Sequence, residues 1–405
     1  MIRKSALLLI AFPLIFVACK GPAPVEKSTP ITPDQIVLQL RLLDENILKV
    51  QAEDPTTPNG QMLVMPRTIN KDGSLSLCST GDWTSGFYPG VLWYMFEMTG
   101  QPEWKEKAIK YTATLEDEQF NGSDHDVGFR MFCSFGNALH LTSNPDYIPV
   151  LVQSAKTLIA RYYENVGCIR SWNFNQENLQ CPVIIDNMMN LELLFWATQK
   201  TGDSVYYDIA VNHALTTMKN HFRPDNSSVH VVDYDTISGE VRQKNTHQGY
   251  ADESSWARGQ TWGLYGYTMT YRFTKNKDFL KQAEKIADFL LEHPNLPDDM
   301  VPYWDFDAPG IPDEPRDVSA AAIMASALYE LCTYSEKGDI YYHQANKIME
   351  SLSSTYASAP GENYGFILGH SVGAKPTDSE VDVPINYADY YYLEARVRKM
   401  DLMAY

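Results

Sequence analysis

Positive charge is what this sequence has least of: 33 lysines and arginines stand against 51 aspartates and glutamates, a formal net charge of −18. That balance argues against nucleic acid as a partner and against adhesion to anionic surfaces. An anionic ligand would have to be held by a local group of cations. Cysteine is scarce as well. There are six, none in C-x-x-C spacing, and the five beyond Cys19 cannot all pair, so mostly buried free thiols are expected and no structural metal. Gly-rich phosphate loops, Ser-His-Asp elbows and zinc signatures are missing too. The apolar stretch Ala6 to Val17, about a dozen residues, is shorter than a membrane span needs.

What is present allows a large core, since 44% of the 405 residues are apolar and 12% aromatic. Length alone admits two or three average domains or one large toroid or barrel. MIRK followed by Ala6 to Val17 and Ala18-Cys19 reads as a bacterial export signal, residues 1–18, with Cys19 as the lipidated residue of a processed lipoprotein. Removing residues 1–18 takes Arg3 and Lys4 with it and leaves −20. The Pro-rich segment that follows reads as a tether over 19–33, tying the protein to a membrane by a lipid anchor. Residues 34–405 are expected to form one catalytic domain of an exported, periplasmic, outer-membrane-anchored protein.

A degenerate repeat organises that domain. TSGFYPGVLWYMFEMTGQPEWKEKAIKYTATLE holds an apolar helix, a turn on Thr99-Gly100-Gln101-Pro102 and a second helix. Four later stretches, opening at Asn137, Asn190, Trp262 and Ala321, repeat the grammar of a helix rich in small and aromatic residues and a more polar partner across a Gly, Asn, Asp or Lys turn. Five hairpins leave two unpaired candidates, Pro33 to Gln51 and Tyr387 to Lys399, at the two ends of the chain. If these pair, the result is an all-α toroid of twelve helices in six hairpins, an (α/α) barrel; an open superhelix is the alternative. The loops Leu75 to Trp83, Phe120 to Cys133, Gly167 to Pro182, Arg223 to Ala257, Pro294 to Asp317 and Ala359 to Pro384 then gather at one mouth, where function is expected.

Two carboxylates in those loops carry the chemical interest. Asp186, in PVIIDNMMNLELLFWAT, sits between apolar runs where a buried segment enters a helix, and desolvation there raises a carboxyl pKa. The competing reading is an N-cap accepting from the N–H groups of Met188 and Met189. Asp126, in DHDVGFRMFCS, holds the same place in the preceding repeat; it is either a turn or cap residue or faces Asp186 as one of a carboxylate pair flanking a glycosidic bond. Trp83, Trp172, Trp256, Trp262 and Trp304 fall in loops or at inner-helix starts, with flat faces suited to pyranose rings, while His230, Thr246 and Gln248 can bond hydroxyls. Arg258 suits a carboxylate, or else a salt bridge to a loop acid such as Asp252. HSVGAKP at 370–376, with Ser371 and Lys375, can contact a neighbouring sugar or its sulfate. HVVDY and EVRQK read as a short hairpin.

The strings WTSGFYPGVLW, HDVGF, GCIRSWNF, PVIIDNMMNLELLFWA, THQGYADESSWARGQTWGLYGY, PYWDFDAP and NYADYYYLEA, in this order from about residue 60 onward, closely resemble the unsaturated glucuronyl hydrolases of glycoside hydrolase family 88. The resemblance implies a six-hairpin (α/α) toroid, catalytic aspartates at Asp126 and Asp186, and contacts to an unsaturated oligosaccharide substrate at Trp83, His125, Trp172, His230, Thr246, Gln248, Arg258 and Trp262, without a cofactor. It implies that Asp186 protonates C4 of a 4,5-unsaturated uronic acid, with Asp126 ionised beside the forming cation. The alternatives are an unsaturated rhamnogalacturonyl hydrolase, a non-catalytic glycan-binding lipoprotein, and an epimerase that would use His125, His230 and His247.

Overall fold

In the computed structural model, which describes residues 29–404, the inner helices are those built of small and aromatic residues. They are α2 (Phe87–Thr99), α4 (Val127–Met131) running through a π-turn into α5 (Asn137–Thr142), α7 (Asn187–Thr201), α9 (Ala257–Thr274), α11 (Val318–Leu331) and α13 (Asn386–Ala404). Their faces are buried nearly all round, because each packs on two inner neighbours, and α2, α4, α7, α9 and α11 also on an outer helix. Small side chains allow the approach: a Cβ on Gly266 of α9 would lie 2.4 Å from the Cβ of Met188 on α7.

Outside them stand α1 (Pro33–Glu53), α3 (Pro102–Ala113), α6 (Tyr147–Ile159), α8 (Ser204–Asn220), α10 (Lys277–Glu292) and α12 (Gly338–Ser354). These are amphipathic. On α10 the buried positions are Phe279, Gln282, Ala283, Ile286, Ala287 and Leu290, a stripe at helical spacing. The turns follow the expected chemistry: Gly100 ends α2 in the left-handed region at φ 66°, and Pro102 opens α3.

The ring closes where α13 packs against both α11 and α2, with the Tyr94 hydroxyl donating to Glu394 at 2.9 Å. The two ends of the chain are therefore brought together: α13 is the sixth inner helix, and α1 fills the outer ring between α12, reached through Ile31 N–H to the Ser353 carbonyl at 2.8 Å, and α3, reached through the Tyr111 hydroxyl on Asp44 at 2.9 Å. A difference concerns the expected loop from Phe120 to Cys133, whose last seven residues are helical: α4 begins at Val127, and the π-turn Phe132–Gly136 absorbs the irregularity. The Ser134 hydroxyl there bonds back to the Arg130 carbonyl at 2.6 Å.

All six inner helices begin at the same mouth. Short antiparallel strands decorate it: β1 (Met65–Ile69) with β2 (Leu75–Cys78), β3 (Tyr162–Tyr163) with β4 (Cys168–Ile169), the sheet β5 (Cys181–Ile184), β6 (Val231–Tyr234), β7 (Val241–Asn245), and β8 (Ser371–Ala374) with β9 (Ser379–Val383). β6 and β7 are the expected hairpin. The pairing of Ile184 with Val231 places His230 beside the start of α7. The five described cysteines are unpaired, and Cys19, with the rest of residues 1–28, lies outside the described residues.

Candidate active site

Strand β5 delivers Asp186 to the start of α7 in a conformation that is already helical, φ −57° and ψ −28°. The N–H groups of Met188 and Met189 are taken by the carbonyls of Ile185 and Asp186, at 3.1 and 2.9 Å. The side chain therefore caps nothing, which removes the structural reading of this residue. Its carboxyl is 11% exposed, with His230 Nε2 3.8 Å away, and Oδ2 has no hydrogen-bond partner. Burial pushes the pKa up to about 7; the Arg258 charge and the nearby Trp262 indole N–H oppose that rise.

Asp126 precedes α4 in the same way and likewise makes no capping bond. Its carboxyl is 15% exposed and Oδ1 lies 3.1 Å from His125 Nε2. His125 Nδ1 is 2.9 Å from the Ser171 carbonyl. A carbonyl only accepts, so Nδ1 carries the hydrogen and Nε2 of the neutral ring offers a lone pair. Burial holds the imidazole down at about 4, while burial and the charges of Asp124 and Asp186 raise the Asp126 carboxyl.

Ser171 ties the two carboxyl-bearing segments together. Its carbonyl accepts the His125 N–H at 2.9 Å, its N–H donates to the Pro182 carbonyl at 2.8 Å, and its hydroxyl accepts the Ile184 N–H at 2.9 Å. Both carboxyls line one cavity of about 140 Å³ with Trp83, Trp172, Gln248 and Arg258. A larger cavity of about 540 Å³ opens at the opposite end of the ring, among Glu192, Arg272, Glu330 and Arg398. It holds neither aspartate.

The other expected residues divide. Trp83 packs on Phe87, Phe129 and Tyr387 at the cavity wall. Trp172 stacks on Phe174, centroids 4.8 Å apart and planes at 6°. His230 Nδ1 accepts the N–H groups of His247 and Gln248 at 3.1 and 3.2 Å, which places its hydrogen on Nε2, toward Asp186. Gln248 reaches the Gly373 carbonyl at 3.0 Å. Ser371 lies buried on β8 with its hydroxyl unpartnered.

Four residues are placed differently from the sugar-contact reading. Trp262 is wholly buried between Phe129 and Tyr391, behind the cavity wall. The Thr246 hydroxyl builds a turn, accepting the Gly249 N–H at 2.8 Å. Trp256 and Trp304 are buried, the first beneath Arg258, whose guanidinium carbon sits 4.6 Å from the ring, the second bonded to Glu314 at 2.8 Å. Arg258 itself pairs with Asp317 at 3.1 Å, whereas Asp252 accepts the Thr246 N–H at 2.7 Å. Phe174, 54% exposed, was not singled out in the sequence, although it follows Trp172 by two positions, the spacing that puts two rings on one side of an extended segment. His247 completes this rim, its ring 5.7 Å from Trp172.

The model of Glycosyl Hydrolase Family 88 matches residues 65–401. The chain belongs to this family. Among its relatives is an unsaturated glucuronyl hydrolase of Formosa agariphila, 53% identical over 326 residues, which span 80% of this chain and 81% of that protein. An unsaturated chondroitin disaccharide hydrolase of Streptococcus pneumoniae is 33% identical, covering 82% and 85%. The crystal structure of an unsaturated glucuronyl hydrolase specific for heparin superposes with a TM-score of 0.85 at 46% identity, covering 92% of this chain and 98% of that one. In this family 88 chain the matched region includes every element that lines the cavity.

Proposed function

We propose that the chain removes the terminal 4,5-unsaturated uronic acid from lyase-generated oligosaccharides of the glycosaminoglycan type, by hydrating the C4=C5 vinyl ether. One observation carries the reading: the Asp186 carboxyl is buried, caps no helix, and is held near neutrality in a cavity shared with a second carboxyl. A group with a pKa of about 7 both holds a proton at physiological pH and gives it up readily.

Asp186 delivers its proton to C4, and the C4=C5 π electrons form the new C–H bond. The positive charge left at C5 is shared with the ring oxygen. Water adds at C5 and returns a proton to the Asp186 carboxylate. The resulting hemiketal opens, and the neighbouring sugar leaves with no attack at the anomeric carbon. Asp126, beside His125 in the same cavity, is placed to bond ring hydroxyls. The Trp172–Phe174 stack offers an aromatic face at the cavity rim for the leaving sugar.

The test is the ultraviolet band of the unsaturated uronate. Heparin-type disaccharides come first, because the heparin-specific relative is 46% identical against 33% for the chondroitin enzyme; unsaturated chondroitin and pectin disaccharides complete the panel. Loss of the band supports hydration, and unchanged absorbance with measurable binding overturns it in favour of a glycan-binding protein. The N-terminal residues support a further part of the proposal, an exported periplasmic lipoprotein anchored at Cys19. Cys19→Ala is expected to move the protein from the membrane to the soluble fraction.

A further inference from the structure

Asp317 is wholly buried at the start of α11, and its two oxygens face different tasks. Oδ1 caps the helix, accepting from the Ser319 N–H at 3.1 Å, the Ser319 hydroxyl at 2.6 Å and the Ala320 N–H at 3.4 Å. It also accepts the Val372 N–H at 3.4 Å. Oδ2 receives Arg258 Nη1 at 3.1 Å. The guanidinium then carries the connection to β8, donating to the carbonyl of Val372 through Nη1 and to that of Gly373 through Nη2 at 2.7 Å. The Gly373 carbonyl takes the Gln248 amide as well, at 3.0 Å. Space on the far side of the strand is closed: a Cβ on Gly373 would stand 2.4 Å from Glu380 Oε2.

Arg258 is also a charge. It acts on the Asp186 carboxyl across the cavity, and a full positive charge beside a proton donor favours loss of the proton. The other groups facing Asp186 are His230 ahead of β6, with His247 beyond it, and Asp126 on the α4 side. Those facing Arg258 are Tyr387 on α13, Glu380 on β9 and Asp317 on α11. His230 is neutral, with Nδ1 accepting from backbone, and burial keeps Tyr387 protonated. Glu380 is engaged by Arg67 at 2.5 Å. Among the described residues, the anion in direct contact with the Arg258 guanidinium is therefore Asp317.

We infer that Asp317 is a positioning residue of the proposed reaction, fixing the Arg258 guanidinium against β8 and offsetting its charge beside Asp186. The inference rests on Asp186 being the proton donor. A purely structural cap would affect stability and leave the pH dependence of turnover where it was.

The experiment is the pH profile of kcat/KM on an unsaturated disaccharide, followed by absorbance. Its alkaline limb reports loss of the Asp186 proton. In Asp317→Asn, which keeps the shape and an oxygen for the cap, the limb is expected to move to lower pH by about one unit. The double variant Arg258→Gln/Asp317→Asn, which removes both charges, is expected to bring the limb back toward the parent position even though KM stays high. If Asp317→Asn does not fold, Asp317→Ser keeps a capping oxygen, drops the charge and is read in the same way. A folded single variant with an unmoved limb, or one that only loses rate evenly at every pH, overturns the inference. Near-normal turnover of Asp186→Asn would instead overturn the underlying reading, so the two failures are distinguishable.

Discussion

Asp186→Asn separates the catalytic reading from the structural one in two measurements at once. Asparagine keeps the volume and cannot donate the proton, so turnover should fall by about three orders of magnitude, the usual scale of a general acid. Stability should move the other way as pH rises. The folded-state pKa is about 7 and the unfolded one about 3.9. For a carboxyl raised on folding, the favourable contribution is complete below the unfolded value and is lost as pH climbs through the folded one. Between about pH 5 and about pH 8 the parent therefore gives up close to two pK units, or about 3 kcal/mol. The variant has nothing to ionise and keeps it. At about 1–2 °C per kcal/mol for a chain of this size, melting curves at the two pH values should show the variant gaining several degrees on the parent at the alkaline end. A variant that tracks the parent at both pH values would show that the Asp186 carboxyl is not held near neutrality, and the proton-donor argument would lose its physical basis.

The remaining predictions draw on other parts of the site. Arg258→Ala leaves Asp317 buried and unpaired and unpins β8, so it should cost about 3–5 kcal/mol in stability and raise KM; chemical denaturation and steady-state rates check both. Trp172→Ala and Phe174→Ala each remove half of an aromatic stack and should raise KM by about 3- to 10-fold with little change in kcat, since a ring contact is worth about 0.5–1.5 kcal/mol; an unchanged KM in both would remove the rim from the binding reading. Burial holds His125 and His221 neutral with pKa values of about 4. For a histidine depressed on folding, stability is present above about pH 6.5 and is lost as pH falls, by about 3 kcal/mol each at about pH 4. His221→Gln keeps a donor for the Val183 carbonyl, bonded at 3.0 Å in the parent, and should show an acid unfolding slope shallower by about one proton.

How far the sequence could be read depended on whether the determining contact is local. The hairpins were legible because their signals are: small and aromatic residues on one helix, an amphipathic stripe on its partner, and Gly100 or Gly202 between them. The two aspartates were legible by position, as equivalent points of adjacent repeats. Whether Asp186 caps a helix was not, because that depends on where the helix begins. The Ile185 and Asp186 carbonyls already take the N–H groups a cap would need. The partner of Arg258 was hidden for a different reason. Asp252 is six residues away in the chain and Asp317 is 59 away; only closure of the ring brings α9 and α11 side by side. The tryptophans show the limit of composition. Trp172 and Trp256 look alike in the sequence, yet one reaches the cavity and the other is covered by Arg258 and His230.

The charge balance raised the question of how a strongly acidic chain binds an anion, with a cluster of cations as the expected answer. The side-chain cations at the mouth are in fact engaged: Arg258 with Asp317, Arg130 with Asp124 at 2.9 Å, Arg67 with Glu380 at 2.5 Å. What remains is the backbone. Because every hairpin runs in the same sense, α2, α4, α7, α9, α11 and α13 all present their N-termini to this mouth, and each carries about half a positive charge. Their C-termini meet at the other end, where Arg272 and Arg398 lie among Glu192, Glu330 and Glu394. The same polarity favours aspartates at the starts of inner helices, which is where Asp126, Asp186 and Asp317 stand. At Asp317 that field, the cap and Arg258 act together on one ion. At Asp186 that field, the Arg258 charge and the Trp262 indole N–H all oppose burial, and burial prevails. Two carboxyls in the same position of the same fold thus differ in how they are held: Asp317 takes donors on both oxygens, while Oδ2 of Asp186 is left without a hydrogen-bond partner.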